Sequence, residues 1–173
     1  NNYGLGAAMD TQTENLIPNI DSSDRTRMNT ENESEFLRNY TSIQYKINLG
    51  NKILSKGFYD SENQLVANED GYAEVRYQYD RQKYPVGEAY FGTDSRPCPL
   101  KGGYTAIKRT YDSNDYVQKI EYLNNRQKLM LNTEVGYASI CYERFWEGTG
   151  ESVSETYYDQ ENHSISLPEL GYA

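Results

Sequence analysis

A tripeptide recurring at almost even spacing constrains this chain more than any other feature in it. Gly-Tyr-Ala stands at 71–73, 136–138 and 171–173, and Gly103-Tyr104-Thr105 and Asn39-Tyr40-Thr41 are altered copies. The starts at 39, 71, 103, 136 and 171 lie 32, 32, 33 and 35 residues apart. Two further markers keep the same phase. Tyr79-Asp80 and Tyr111-Asp112 fall eight and nine residues after their Gly, where the first repeat has Ile47-Asn48 and the last has Arg144-Phe145. Phe58-Tyr59-Asp60, Tyr90-Phe91, Tyr122-Leu123 and Tyr157-Tyr158-Asp159 each precede the next copy. Fixed-period self-similarity means supersecondary units that cannot bury their apolar faces alone and must stack to do so.

The pattern inside one repeat reads as β-structure. From Tyr72, the residues Val75, Tyr77 and Tyr79 alternate with polar ones, the period-two signature of a half-buried strand. Tyr104 to Tyr111 and Tyr137 to Tyr142 repeat it. Polar turns follow at Asp80 and Asp112, because Asp, Asn and Ser tolerate left-handed backbone and bond it with their side chains. Second strands such as Val117 to Tyr122 and Val153 to Tyr157 lead to further polar turns at Asp60, Asn124 and Asp159. A short apolar stretch, such as Leu65-Val66 or Leu129-Met130-Leu131, then meets the next Gly, which supplies positive φ or room for close approach. A lone hairpin is marginal in water, so stacking is the reason for repetition.

The expected fold is all-β: tandem hairpin repeats of about 33 residues stacked into an elongated single sheet, spiral or solenoid. Four repeats, at about 39–70, 71–102, 103–135 and 136–170, precede the start of a fifth. Residues 1–38 fit no repeat and are expected to form an irregular, partly helical capping or linking segment. Helix formers lie in Asp10 to Asn19, where Pro18 would interrupt any long helix, and Ser34 to Leu37 has the makings of one turn.

Composition agrees with thin layers rather than a thick aliphatic core. Only 36% of residues are hydrophobic, and eighteen Tyr outnumber four Phe and one Trp; a tyrosine buries its ring while its hydroxyl stays near water. The net charge of −9, with no basic stripe, argues against nucleic acid, whose phosphates need neutralising. Two cysteines, Cys98 and Cys141, leave one bridge open but define no framework. With His163 as the sole histidine there is no zinc ligand set, and no cofactor is expected. No apolar run reaches the ~18 residues that cross a bilayer. No charged-then-apolar leader opens the chain, which reads as a mature product or an excised segment with any anchor outside it.

Gly-Tyr-Ala, then Tyr-Asp with a polar turn, then an aromatic pair with Asp, resembles the tyrosine–aspartate (YD, RHS-type) repeats of bacterial surface and secreted proteins. The resemblance covers about residues 39–173 and extends more loosely to choline-binding and glucan-binding hairpin modules. The Gly-Trp of those modules is absent, so no choline cage is carried over. The resemblance implies a bacterial extracellular or cell-surface location and attached domains outside this chain.

Three functions are compatible with such a chain to different degrees. A non-catalytic module binding carbohydrate or cell-wall polymer would use exposed aromatic faces: the Tyr after each Gly (Tyr72, Tyr104, Tyr137), and Arg144, Phe145 and Trp146, where the last repeat abandons its turn. A structural spacer, or a protein-binding stalk with no small ligand, suits degenerate repeats as well. An enzyme using paired carboxylates is disfavoured, because most acids fall in turns such as Asp60, Asp80, Asp112 and Asp159, where capping the backbone accounts for them. None of these turns has the ligand spacing of a calcium loop.

Overall fold

The computed structural model describes residues 39–80 and 84–167, together with the backbone of 10–15. Ten strands follow chain order: β1 (Asp10–Asn15), β2 (Ser42–Ile47), β3 (Ile53–Tyr59), β4 (Glu74–Gln78), β5 (Gly87–Phe91), β6 (Ala106–Tyr111), β7 (Val117–Leu123), β8 (Ser139–Glu147), β9 (Gly150–Tyr158) and β10 (Ser164–Ile165). They belong to one antiparallel sheet in which neighbours in the sheet are neighbours in the chain. β2 to β10, nine strands, carry the repeats, and β1 pairs with β2 from Asp10↔Ile47 to Asn15↔Ser42. No helix occurs among the described residues.

That corrects the expectation of a partly helical start where Asp10 to Asn15 is concerned. Thr11 and Thr13 are β-branched, and an open strand edge satisfies backbone groups that a short isolated helix would leave to water. Pro18, Ser34 to Leu37 and the copy at Gly171 lie outside the described residues.

The chain falls into two compact bodies, residues 1–76 with 91–96, and residues 77–90 with 97–173. In the first, β2 and β3 form a hairpin and β4 adds to β3 through Ser55↔Arg76, Lys56↔Val75 and Gly57↔Glu74. Ile43, Phe58, Ala73 and Val75 are its buried apolar residues. Glu74, also buried, donates no proton at neutral pH: burial would push its carboxyl up, but the hydrogen bond and charge of Arg76, with Lys46 and Ser55, bring it below its ordinary value. In the second body β6–β7 and β8–β9 are hairpins, and each joins the strand before it by three pairs. Tyr90, Ala106, Ile107, Leu123, Ala138 and Ile140 are buried there.

The turns explain the repeat length. Asn48, Asp60, Asp112, Asn124 and Asp159 each accept two backbone N–H groups on Oδ1, from the residues two and four places on. The residue three places on donates back to the main chain and sits left-handed: Asn51, Asn63, Asp115, Gln127 and Asn162 have φ of 57–65°. A turn closed by one left-handed residue is a common three-residue hairpin loop, with the bulge that such loops carry. The joint between repeats uses the same geometry with glycine, at φ 88° in Gly71, 90° in Gly103 and 83° in Gly136. The positive φ expected at these joints is therefore present.

Aromatic rings from joints and second strands interleave. In the first body Tyr40, Phe58 and Tyr72 meet edge to face at 4.7 and 5.7 Å. In the second, Tyr90, Tyr104, Tyr122, Tyr137 and Tyr157 form a ladder with centroids 6.2, 4.8, 6.0 and 4.9 Å apart. Each repeat thus contributes two rungs, a packing that a single hairpin cannot make.

One buried group is out of keeping. Ser139 is fully buried, and its Oγ has no hydrogen-bond partner. Ala106 fills the equivalent place in the preceding repeat. An unsatisfied buried hydroxyl costs about 1–3 kcal/mol. Ser139→Ala is therefore expected to leave stability unchanged or raise it by about 1 kcal/mol, read as the shift in urea midpoint. A loss of similar size would mean that the hydroxyl has a partner after all.

Candidate functional site

The fourth repeat departs from the others where its Asx turn should be. Phe145 stands where the first and third repeats have Asn48 and Asp112. A phenyl ring offers no acceptor for the N–H groups two and four residues on, so the strands run further. β8 and β9 reach nine residues each, paired out to Glu147↔Gly150. Gly148, with φ 62°, opens the two-residue loop as that loop type requires. The result is a two-stranded arm. Its β8 side continues beyond the last pair with β7, Lys119↔Cys141.

On this arm Phe145 is 49% exposed, Trp146 64% and Val153 45%. Alternation places Arg144 and Trp146 on one side with their cross-strand partners Val153 and Glu151, and Phe145 on the other with Ser152. Arg144 is held from two directions. Its Nη1 donates to Glu151 Oε1 at 2.9 Å, and its guanidinium lies over the Tyr116 ring at 4.4 Å. Its Nε is buried with no partner, an unsatisfied donor beneath the arm.

A groove of about 360 Å3 runs beside the arm. Tyr142, Glu143, Arg144 and Phe145 form one wall, and Asp112, Val117 and Gln118 the other. Burial, then the charge of Glu155, raises the Tyr142 phenol above its ordinary value. It is therefore a neutral hydroxyl at physiological pH, able to donate and accept. The groove combines an aromatic surface with carboxylate, amide, phenol and guanidinium groups. Among the described residues no group of three His, Cys, Asp or Glu is placed to hold a metal ion.

The residues expected to bind ligand divide in two. Arg144, Phe145 and Trp146 lie together on the arm. Tyr72, Tyr104 and Tyr137 are half-buried rungs of the aromatic packing, Tyr72 against Phe58 in the first body and the other two within the ladder of the second. Burial, followed by the neighbouring Tyr122, drives the Tyr137 phenol far above its ordinary value. Asp112 and Tyr142 are expected from the sequence only as a turn acid and a strand residue, and Gln118 and Glu143 carry no signal there as ligand contacts. They come to the groove from two adjacent hairpins, and only the register of β7 on β8 brings them together.

The remaining chemistry is spent on structure. Asp60, Asp112 and Asp159 cap turns, as expected for acids in these places; the turn expected after Asp80 falls on residues 81–83, outside the described residues. Cys98 and Cys141 are not bridged to each other, and burial pushes the Cys141 thiol up from its ordinary value. No family model, no curated protein and no solved structure matches the chain.

Proposed function

We propose that this chain is a non-catalytic binding module, built of tandem hairpin repeats of about 33 residues stacked along one sheet, and that it takes carbohydrate or cell-wall polymer at the β8–β9 arm. The observation that carries the proposal is the exposure of Trp146 and Phe145 on strands that outrun the turn kept elsewhere. Large aromatic side chains left in water on a rigid scaffold usually mark a contact surface. A sugar ring presents C–H groups to an aromatic face and hydroxyls at its rim. The groove supplies both partners: Phe145 and Tyr142 for the ring, and Asp112, Gln118 and Glu143 for hydroxyls. The net charge of −9 favours neutral or amino sugars over anionic ones.

Kinship with the tyrosine–aspartate repeats of bacterial surface and secreted proteins belongs to the same reading, and with it an extracellular place. Attached domains would then supply any catalysis. The competing role, a spacer or protein-binding stalk, draws support from the turn acids and joint tyrosines, which serve packing rather than recognition.

The test is a broad glycan panel followed by titration of any hit against Trp146→Ala. Because Trp146 is solvent-exposed, its loss should spare the fold while weakening binding about tenfold or more, as for a hot-spot aromatic. No binding across the panel, or binding indifferent to Trp146→Ala, would sink the proposal.

A further inference from the structure

We propose that the groove beside the arm, granted that it takes carbohydrate, selects a sugar with a free primary ammonium, which Glu143 and Asp112 recognise by charge and Phe145 and Tyr142 by their rings. The basis is a grouping that is complete at two other places in the chain and lacks its cation here. In the first body the Arg76 guanidinium donates to Glu74 at 2.8 Å and lies 3.8 Å from the Phe91 ring centroid. On the arm Arg144 sits likewise between Glu151, at 2.9 Å, and the Tyr116 ring, at 4.4 Å. A carboxylate on one side and an aromatic face on the other hold a cation that has left bulk water. The groove has both kinds of partner in Glu143 and Phe145, which strand alternation puts on one side of β8.

The charges lining the groove do not cancel. Arg144 is the one cation among the described lining residues, and Glu151 meets its charge. Lys119, next along the chain from Gln118, is paired with Glu121 at 2.9 Å. Glu143 is exposed and forms no ion pair among the described residues. Asp112 stands on the opposite wall and spends one oxygen, Oδ1, on the N–H groups of Asn114 and Tyr116. That duty needs no charge, because Asn48 and Asn124 perform it in two other turns. Two carboxylates across a groove repel each other, and a cation between them turns the repulsion into attraction. An amino sugar brings that cation together with the C–H face that suits the rings. N-acetylation would remove the charge, and a uronic acid would add to the repulsion.

Chitosan oligosaccharides, and the same oligosaccharides after N-acetylation, are titrated calorimetrically into the 173-residue chain. The buffer is mildly acidic and low in salt, so that the sugar amine is protonated. The amine form is expected to bind about tenfold more tightly than the acetylated one, and the preference should shrink as salt is raised. Glu143→Gln and Asp112→Asn should each erode the preference and together abolish it. Asp112→Asn keeps the acceptor that the turn needs, so the fold is not at stake. Asp159→Asn makes the same exchange in a turn that does not line the groove, and should leave the preference intact. Trp146→Ala should weaken both sugars alike. Equal affinity for the two sugars, a preference that survives the double substitution or falls equally with Asp159→Asn, or no binding of the amine form would overturn the proposal. The carbohydrate role itself falls on a different result, a silent glycan panel, so the two failures are distinguishable.

Discussion

Phe58→Ala is expected to remove about 3–5 kcal/mol from the stability of the first body, a large part of the ~5–15 kcal/mol that a domain has. Phe58 is 2% exposed and lies between Tyr40 and Tyr72. Truncation would strip two rings of their edge-to-face partner and leave a cavity that backbone joints, pinned at Gly71 and Asn68, cannot close. The subtler change is Phe58→Tyr. Tyr90, Tyr122 and Tyr157 occupy the equivalent position, and Tyr90 and Tyr157 donate their hydroxyls to a glutamate two residues earlier, Glu88 or Glu155, where Tyr122 has Ile120. Phe58 has Lys56 there instead, its Nζ 5.0 Å from the ring centroid. An ammonium can donate to the added oxygen but accepts nothing, so the hydroxyl proton lacks the acceptor it has elsewhere, at an expected cost of about 1 kcal/mol. Lys56→Glu in the same chain should recover most of it. Equilibrium denaturation of the four proteins gives the cycle. A strictly additive result would discard the pairing rule, and a loss below about 1 kcal/mol for Phe58→Ala would show that the rings do not hold the hairpins together.

The repeat was legible because its geometry depends on residues whose reasons are local. A left-handed joint selects glycine, and Gly71, Gly103 and Gly136 stand at even spacing for that reason. Turns capped by Asp60, Asp112 and Asp159 needed an acceptor at one position, which the sequence displays directly. The roles of Asn68 and Asn132 were less visible: Asn68 Oδ1 accepts from the Asp70 and Tyr72 N–H groups and Asn132 Oδ1 from that of Glu134, but asparagine at the start of a joint has no repeated neighbour to mark it. Left-handed Ser95 and Gln127 carry no signal in their identity at all; the turn around them imposes the conformation. The break at Arg144 to Glu147 was readable as a missing acceptor, and the structure turns that absence into a longer arm. What the arm leans on was not readable. Tyr116 under Arg144, and Asp112 and Gln118 across the groove, depend on how one hairpin registers on the next. That register is set by backbone pairing rather than by any pattern in one segment. Residues 10–15 show the same limit: their strand exists through pairing with β2, and their composition alone pointed elsewhere.

Alkaline pH should unfold this protein well before it would unfold one with fewer buried phenols. Tyr59, Tyr79, Tyr111 and Tyr142 are raised chiefly by burial, with Glu74, Glu88 or Glu155 adding to it and Arg109 opposing it at Tyr111. Tyr157 is raised first by its hydrogen bond to Glu155 and then by burial. Tyr137 rises furthest, by burial and then by the neighbouring Tyr122. Each folded value lies above the unfolded one, so the unfolded chain releases these protons first. Their contribution to stability is complete below about pH 10 and is lost as pH climbs through the raised folded values. Six groups act in the same direction, and each tyrosinate adds to a chain already at −9. Urea midpoints should therefore hold steady through neutral pH and fall steeply above about pH 10. The folded protein's tyrosinate absorbance should lag that of the denatured chain and then rise together with loss of the β-sheet circular dichroism. Coincidence is the discriminating feature, because a ladder of rings in contact cannot ionise one member without loosening the next. Independent titration of all eighteen tyrosines near the ordinary phenol value, with the sheet intact, would mean that the ladder does not exclude water. Tyr137→Phe offers the internal check. It removes the most strongly raised phenol while keeping the ring between Tyr122 and Tyr157, and should move the alkaline transition to higher pH with little change at neutrality.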